Sequence, residues 1–183
     1  MGLCAAFAAH AAPLSGQRCD DRIRLADTEL HLNGIDLRAG LWLEGYAAGL
    51  YLPVKTTRVA EAIAEPAPKR LRMRMMLDVP AKEFNKAVGK GVGRNSNPTE
   101  QEAVHERIDR FMAPITAAST VKKGDVIDLD ILPERGLLLS INGRPQGDPI
   151  PGADVYAAVL KIFLGDRPVD RVLKSGLLGG PTR

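Results

Sequence analysis

Alternating apolar and polar residues predict that a sheet begins at residue 28. In TELHLNGIDLR, Leu30 and Leu32 fall on one side of a strand and polar residues on the other, and the NG pair at positions 33 and 34 predicts a turn. Residues 41–52 continue as a longer, more apolar strand. That strand is expected to end before the proline at position 53, because proline cannot donate a hydrogen bond to the ladder.

A further strand is predicted over residues 69–77, KRLRMRMML. Its arginines, Arg70, Arg72 and Arg74, face one way, and its leucines and methionines face the other. The arginines either bind an anion or form the solvated face of a half-buried strand. The solvated face is the preferred interpretation.

Helical patterns flank this strand on both sides. TTRVAEAIAEP predicts a short helix with Thr56 or Thr57 as its N-cap and Pro66 just beyond its end. NPTEQEAVHERIDRFMAPI predicts a longer helix with Thr99 as its N-cap and a single apolar stripe. Both helices are amphipathic, so each is expected to cover a sheet.

A helix that starts at Pro80 is predicted to stop at the glycines of GKGVGRN, residues 89–95. Glycines of this kind can bring backbone N–H groups close to a phosphate. A phosphate-binding loop, however, needs a Gly-Lys-Ser/Thr sequence that opens a helix after a strand, and this segment ends a helix instead. The segment is therefore interpreted as a flexible connection.

The last third of the chain predicts a meander followed by two helices. KKGDVIDLDIL, GLLLSING and RPQGDPIP are short strands joined by turns, and the helices are separated at GDRP. Strand-helix alternations are too few for a parallel doubly wound sheet. The pattern predicts one α+β domain over residues 28–180, an antiparallel sheet covered on one face by helices, after an extension of residues 1–27.

Composition and charge argue against several classes of protein. The 25 basic and 22 acidic residues leave a net charge of +3, which is too small to indicate a nucleic-acid partner. After the N-terminal stretch no run of about 18 apolar residues occurs, so no transmembrane segment is expected. Cys4 and Cys19 lie at no metal-ligand spacing from the three histidines, so neither a metal nor another cofactor is predicted. Nothing in the pattern selects an oligomeric state.

The N-terminal stretch MGLCAAFAAHAAPLSGQ has some features of a secretory signal, including the small-x-small site AHA at residues 9–11. It lacks a basic n-region, so two interpretations stay open. Residues 1–12 are a truncated signal peptide, which predicts a periplasmic or secreted protein, or they are an extension of a cytoplasmic one. Removal of a signal would take away Cys4 and leave Cys19 alone.

The segment LRAGLWLEGYAAGLYLP, residues 37–53, is the richest candidate for a site. Counting by twos places Arg38, Trp42, Glu44 and Tyr46 on one face of a strand. On a solvated face these residues are ordinary. Under a layer of helices, Arg38 becomes a buried cation that needs an anionic partner, either Glu44 or a ligand carboxylate. The residue pattern alone leaves the two settings equal.

Four segments resemble the chalcone isomerase-like proteins of bacteria. They are LNGIDLRAGLWLEGYAAGLYLP, VKKGDVIDLDILP, SINGRPQGDPIPGADVYAAVLKIFLGDRPVD and LKSGLLG, in the same order over most of the chain. The resemblance implies the chalcone isomerase fold, an open-faced β-sandwich whose large antiparallel sheet carries a layer of helices. That superfamily includes plant isomerases that close chalcones to flavanones, fatty-acid-binding members and non-catalytic relatives.

The resemblance also implies which residues form a site. Arg38 matches the cleft arginine that stabilises the developing enolate in the plant enzymes. The positions of the enzymes' threonine, tyrosine, second hydroxyl residue and asparagine are occupied here by Tyr46, Phe84, Ile162 and either Asn95 or Asn97. One missing oxyanion donor costs roughly 2.7–4 kcal/mol of transition-state stabilisation, so the replacement of two or three such donors disfavours an isomerase.

The predicted function is therefore non-catalytic binding of a small apolar ligand with an anionic head, such as a fatty acid. Arg38 would anchor the head through a charge-assisted hydrogen bond. The full set of predicted ligand-binding residues is Arg38, Trp42, Tyr46, Phe84, Asn95 and Ile162. Two alternatives stay open: an intramolecular lyase of the chalcone isomerase type with Arg38 as its catalytic residue, and a structural or protein-interaction role in which Arg38 pairs with Glu44.

Overall fold

The computed structural model describes residues 12–14, 17–39, 44–64 and 66–181, within which eleven strands are assigned. They are β1 (Ala12–Leu14), β2 (Gln17–Cys19), β3 (Arg22–Leu25), β4 (Thr28–Ala39), β5 (Glu44–Leu52), β6 (Lys69–Met75), β7 (Val79–Pro80), β8 (Thr120–Val121), β9 (Val126–Leu132), β10 (Gly136–Ile141) and β11 (Arg144–Pro145). Seven of these strands form one antiparallel sheet in the order β11-β10-β9-β6-β5-β4-β3. Two small pairs, β1 with β2 and β7 with β8, lie outside it. The predicted meander is confirmed, because β9, β10 and β11 lie side by side at one edge of the sheet.

Five helices accompany the sheet among the described residues. They are α1 (Val59–Ala64), α2 (Ala81–Asn95), α3 (Pro98–Ala118), α4 (Ala153–Leu164) and α5 (Arg171–Leu177). Helix α4 is the most buried, with eight of its twelve residues in the core, and it contacts the other four helices. None of the described helices is long and apolar enough to cross a membrane. The predicted α+β fold, a sheet covered by helices on one face, is confirmed.

The two faces of the sheet bury different clusters of side chains. The helix-covered face carries the main core, which includes Leu50, Leu71, Met73, Met75, Ile127 and Leu129. The opposite face carries a smaller cluster, which includes Leu25, Leu30, Leu32, Ile35, Leu37 and Tyr51. Since successive strand residues point to opposite faces, β5 buries apolar side chains on both sides, such as Leu50 in the main core and Tyr51 in the smaller cluster.

The sheet begins earlier than the pattern predicted, at Arg22 rather than at residue 28. Strand β3 pairs antiparallel with the start of β4, with Arg22 opposite His31 and Leu25 opposite Thr28. The short alternation of the RIRL segment is the signal for this strand. An edge strand of four residues is easily overlooked because it buries few side chains. Residue 28 as the domain boundary stays a prediction.

The NG pair of β4 does not form the predicted turn. The strand runs through it with a β-bulge between Leu32 and Gly34, and Asn33 is buried. The Asn33 side-chain amide donates to the carbonyl oxygens of Leu177 at 2.7 Å and Thr56 at 3.0 Å, and its Oδ1 accepts from the Thr56 N–H at 2.7 Å. Asn33 therefore lies in a β-bulge and not in a turn. Its side chain connects β4 to α5 and to the loop after β5.

The arginines of β6 alternate as predicted, but the expected solvated face is wrong for two of them. Arg70 Nε and Nη2 each donate to Asp130 at 2.6 Å, and Arg72 donates to Asp128 at 2.7 and 2.9 Å. Both aspartates lie on β9 directly opposite their partners and are buried. These hydrogen bonds raise the pKa of both guanidinium groups. Arg74, beyond the pairs, is exposed.

Helix α2 continues through the glycines at which it was predicted to stop, and GKGVGRN is helical rather than a flexible connection. Gly91 is buried and faces Ile162 of α4 so closely that an added Cβ would lie 2.6 Å from the isoleucine Cγ2. Packing against α4 therefore outweighs the low helix propensity of glycine.

The N-cap of helix α3 lies two residues before the predicted N-cap Thr99. Asn97 is the cap: its side chain accepts from the Glu100 N–H, and the Glu100 carboxylate accepts from the Asn97 N–H, both at 2.9 Å. Pro98 occupies the first helical position, where a missing N–H costs nothing. This reciprocal capping box explains why Asn97 rather than Thr99 starts the helix.

An ion pair fixes the beginning of α4 against α3. Arg107 of α3 donates through Nη1 to Asp154 Oδ1 at 2.9 Å and to the Pro151 carbonyl oxygen at 3.2 Å. The hydrogen bond from Arg107 lowers the pKa of the Asp154 carboxyl below its ordinary value. The N-terminal end of α4 is thereby held in place above the sheet.

Candidate functional site

A cavity of about 210 Å³ lies between the sheet and helices α2 and α4. Its walls are almost entirely apolar. Strands β5 and β6 supply Tyr46, Met73 and Met75, α2 supplies Phe84, and α4 supplies Ile162 and Phe163. A cavity between a helix layer and a sheet, lined by aromatic and sulfur-containing side chains, suits an apolar ligand.

Strand register explains why the sheet residues converge on this cavity. Tyr46 of β5 lies opposite Met75 of β6, and Ala48 lies opposite Met73. Residues directly opposite each other in an antiparallel pair share a face, so these four positions all point toward the helices. The cavity lies beside the start of β5 and the end of β6.

The helical walls are positioned by the contact between α2 and α4. Gly91 lets the two helices touch at Ile162, which closes one end of the cavity. One and two turns earlier along α2, Ala87 and Phe84 line the open part. The helices therefore meet at the glycine and leave space on its N-terminal side.

Three of the six predicted ligand-binding residues meet in this cavity: Tyr46, Phe84 and Ile162. Arg38 is described at the level of the β4 backbone, where it is the register partner of Tyr46. Trp42 lies outside the described residues. The predicted roles of Arg38 and Trp42 in binding a ligand stay predictions.

Asn95, the remaining predicted residue, does not line the cavity. Its side-chain amide donates to the carbonyl oxygens of Gly91 and Arg167, both at 2.9 Å, and its Oδ1 accepts from the Arg167 N–H at 2.9 Å. These bonds join the end of α2 to the loop after α4. Asn95 thus holds the two cavity helices together from outside.

The sequence analysis missed several cavity residues, of which Met73 and Met75 were the most accessible to prediction. They alternate with the arginines of β6, so their position on the face opposite Arg72 was already known. What the pattern lacked was the pairing of β6 with β5, which brings them beside Tyr46. The sequence did not single out Phe163 as a cavity residue, because α4 is apolar on most of its circumference.

Polar side chains are scarce around the cavity. Among the described lining residues, Tyr46 carries a hydroxyl and Glu83 a carboxylate, and the Glu83 side chain is 57% exposed at the rim. No group of three or more His, Cys, Asp and Glu side chains able to hold a metal occurs in the described part of the chain. The arrangement can enclose an apolar group and contains one hydroxyl group, that of Tyr46.

One buried acid lies close to Arg38 along β4. Asp36 is fully buried, with its Oδ1 accepting from the Leu37 N–H at 2.7 Å, and an added Cβ on Gly176 of α5 would lie 2.4 Å from the Asp36 Cβ. Among the described side chains and backbone groups, Asp36 Oδ2 has no hydrogen-bond partner. Asp36 is therefore a second internal candidate, besides Glu44, for a counter-ion to Arg38.

Cys19, His31 and His105 are not among the residues that line the cavity. Burial raises the pKa of the Cys19 thiol, which keeps it protonated at neutral pH and slow to react. Cys4 lies outside the described residues. His105 is well exposed and His31 is partly exposed.

Comparison with known proteins places this geometry in a family. No curated protein matches the sequence, whereas 38 chains of solved structures match the fold. One is the crystal structure of a fatty-acid binding protein from Arabidopsis thaliana, with 16% sequence identity, a TM-score of 0.68, and coverage of 92% of this chain and 95% of that chain. The family model described as chalcone isomerase-like matches residues 11–179. Since that match spans nearly the whole sequence, the chain belongs to the chalcone isomerase-like family.

Proposed function

We propose that the protein binds a fatty-acid-like ligand without catalysing a reaction, with the apolar tail in the cavity lined by Tyr46, Phe84 and Ile162. The observation that carries the proposal is the cavity itself, since three residues predicted from separate parts of the chain meet there. The structural likeness to a fatty-acid binding protein of Arabidopsis thaliana supports the choice of ligand.

The size and chemistry of the cavity favour a single hydrocarbon tail. Each methylene group transferred from water into apolar surroundings contributes about 0.8 kcal/mol. The volume of about 210 Å³ is smaller than the roughly 300–1,000 Å³ of sites for drug-sized ligands. One chain, rather than a fused-ring compound or a two-tailed lipid, therefore fits best.

The proposed orientation puts the carboxylate of the ligand near Arg38. Glu83 lies at the rim, in the first turn of α2, and would repel an anionic head on that side. At the other side, the β4 backbone brings Arg38 opposite Tyr46. A guanidinium there could bind the carboxylate through two parallel hydrogen bonds, and the Tyr46 hydroxyl could add a third.

The same residues argue against catalysis. Closure of a chalcone requires donors that stabilise a developing oxyanion, and the described walls supply a single hydroxyl, that of Tyr46. Phe84 and Ile162 occupy positions at which the resemblance implies hydroxyl groups in the enzymes. Absorbance of naringenin chalcone followed with the protein present tests the alternative: a rate above the buffer blank would establish the isomerase and refute the proposal.

Filling the cavity should abolish tail binding without unfolding the protein. Ala87 is an exposed residue of α2 on the cavity wall, so Ala87→Trp places an indole in the space for the tail. We expect at least a ten-fold loss of affinity for a fluorescent fatty acid, as two or three methylenes of burial are removed. The matched control is Ala113→Trp, on the exposed side of α3. Equal binding by both variants would place the ligand elsewhere.

Removing the guanidinium should weaken the binding of acids but not of neutral analogues. A charge-assisted hydrogen bond contributes about 1.5–3 kcal/mol, so Arg38→Ala is expected to lower fatty-acid affinity roughly 10- to 150-fold. A fatty alcohol of the same length should bind the variant and the wild type equally. Titration calorimetry measures both ligands.

The thermal stability of ligand-free Arg38→Ala distinguishes an Arg38 that binds the ligand from an Arg38 that forms an internal ion pair. An Arg38 that pairs with Glu44 or Asp36 would leave an uncompensated acid when it is removed, with a clear drop in the unfolding midpoint. A ligand-facing Arg38 would leave the midpoint nearly unchanged. A large drop together with unchanged fatty-acid affinity would refute the anchoring role.

Export of the protein also stays a proposal, supported by the signal-like residues 1–12. Fractionation of the producing cells, with N-terminal sequencing of the recovered protein, tests it. A mature chain that starts near residue 12 in the extracytoplasmic fraction is the expected result, and an intact N-terminus in the cytoplasm would contradict it.

A further inference from the structure

Helix α2 carries a row of four cations on its exposed side. Lys82, Lys86, Lys90 and Arg94 are spaced four residues apart and all are exposed. At 1.5 Å per residue the row spans about 18 Å. At 100° per residue it covers about 120° of the helix circumference, opposite the buried Ala81, Gly91 and Val92. We call these four residues the basic stripe.

The charges of the basic stripe are poorly compensated. Glu83 is the single acid of α2, and its carboxylate lies 3.9 Å from Lys86. Within the described part of the chain, Lys82, Lys90 and Arg94 take part in no ion pair. Helix α3 differs, because exposed residues of both signs share one side of it, as Glu102, Glu106 and Arg110 do.

This arrangement works against the helix that carries it. Like charges four residues apart repel each other, and Lys82 lies in the first turn, where the helix dipole disfavours a cation. Three glycines in the same helix lower its propensity further. Of the four cations, Arg94 lies in the last turn, where the helix dipole favours a positive charge. An anionic partner outside the protein would offset the repulsion.

The shape of the surface indicates a broad partner rather than a small anion. Gly89 and Gly93 lie between the cations on the same exposed side, and Gly89 has no atom within 4 Å of an added Cβ. The surface beside Gly89 is therefore low, which leaves the neighbouring cations accessible. No aromatic or amide side chain of the kind that reads or stacks on bases belongs to the stripe.

We propose that the basic stripe docks the protein on an anionic phospholipid surface. The choice of a membrane over another polyanion rests on the proposed function, because Phe84 and Ala87 of the same helix line the cavity and fatty acids partition into bilayers. Docking through α2 places the cavity wall next to the reservoir of its ligand. The attachment is electrostatic and peripheral, since the stripe includes no large apolar side chain for insertion.

Vesicle co-sedimentation of the full chain without fatty acid tests the docking. We expect binding to phosphatidylcholine vesicles that contain phosphatidylglycerol and none to phosphatidylcholine alone. Binding should be lost when salt rises from about 0.1 M to about 1 M, because the Debye length falls from about 10 Å to about 3 Å. Equal binding to both vesicles, or tighter binding to a short DNA duplex than to the anionic vesicles, would overturn the proposal.

A matched pair of triple variants identifies the surface. Lys82→Gln/Lys86→Gln/Lys90→Gln should weaken binding to the anionic vesicles on the order of 100-fold, at about five-fold per charge. Lys55→Gln/Lys123→Gln/Arg135→Gln removes the same net charge from exposed positions elsewhere and should weaken it far less. Similar losses in both variants would show that net charge, not the stripe, is responsible.

Chemical protection gives an independent readout that does not depend on a variant. Anionic vesicles should slow acylation of Lys82, Lys86 and Lys90 by an amine-reactive reagent, measured by peptide mass spectrometry, and leave Lys123 unaffected. Uniform protection, or none, would contradict docking through α2. Because both experiments omit the cavity ligand, a failure of vesicle binding leaves fatty-acid binding intact, and a failure of fatty-acid binding leaves the vesicle result standing.

Discussion

Gly34→Ala is expected to destabilise the protein by about 3 kcal/mol, in the upper part of the range for overpacked sites. A Cβ at this position would lie 2.0 Å from the carbonyl oxygen of Gly176 and 2.7 Å from that of Leu177. Both obstacles are backbone atoms of α5, so no side-chain rotation relieves the contact. The helix has to move away from β4, and the Asn33 hydrogen bond to the Leu177 carbonyl weakens with it.

Thermal unfolding measures this effect. At about 2–4 °C per kcal/mol for a chain of this size, the midpoint should fall by about 6–12 °C. The control is Gly89→Ala in α2, where an added methyl group meets no atom within 4 Å and should raise stability by about 0.5–1 kcal/mol. A Gly34→Ala midpoint equal to that of the wild type would show that α5 does not pack on β4 as described.

Asp128→Ala is expected to cost about 2–3 kcal/mol of folding free energy. Asp128 is buried and accepts two hydrogen bonds from Arg72, and Arg70 Nη1 lies 3.5 Å from its Oδ2. Its removal leaves a partly buried guanidinium without its partner. Loss of one member of a fully buried pair costs about 3–5 kcal/mol, and the Arg72 side chain, which is 26% exposed, recovers part of that from water.

Chemical denaturation of a set of variants separates the pair from simple loss of charge. Glu29→Ala removes an acid from the exposed Arg22–Glu29 pair, at 3.4 Å, and should leave stability close to that of the wild type. Arg72→Met combined with Asp128→Leu should recover much of the loss, because it leaves no unpaired charge in the sheet. Equal effects of Asp128→Ala and Glu29→Ala would mean that the β6–β9 pairs are solvated after all.

Local pattern and family resemblance together selected three residues of the candidate site. The alternation in β5 put Tyr46 on a definite face, and the resemblance selected Phe84 and Ile162 from helices that are distant in sequence. These three residues line one cavity. Asn95 lies outside it, because its side chain is engaged by the Gly91 and Arg167 carbonyls at the junction of two helices. Such long-range hydrogen bonds leave no periodic trace in a sequence.

The errors in the predicted elements share a physical cause. GKGVGRN and the NG pair of β4 were interpreted by local propensity, as a connection and a turn. In the fold, Gly91 and Gly34 serve close approach instead, to Ile162 and to the backbone of α5. Some glycines are required because a Cβ would collide with a neighbouring element, and others because a turn needs their backbone freedom. The sequence does not distinguish the two kinds. Only the neighbouring element distinguishes them.

The sequence by itself determined the antiparallel sheet with its helical cover and the two faces of β6, because the periods of 2 and 3.6 residues are local properties. The tertiary structure decided which strands pair, and hence that Arg70 and Arg72 meet Asp130 and Asp128. It also decided that α2 and α4 touch at Gly91 and part near Phe84 to leave a cavity. Pairing and helix contact depend on the complementary shape and charge of segments far apart in the chain, which no local pattern contains.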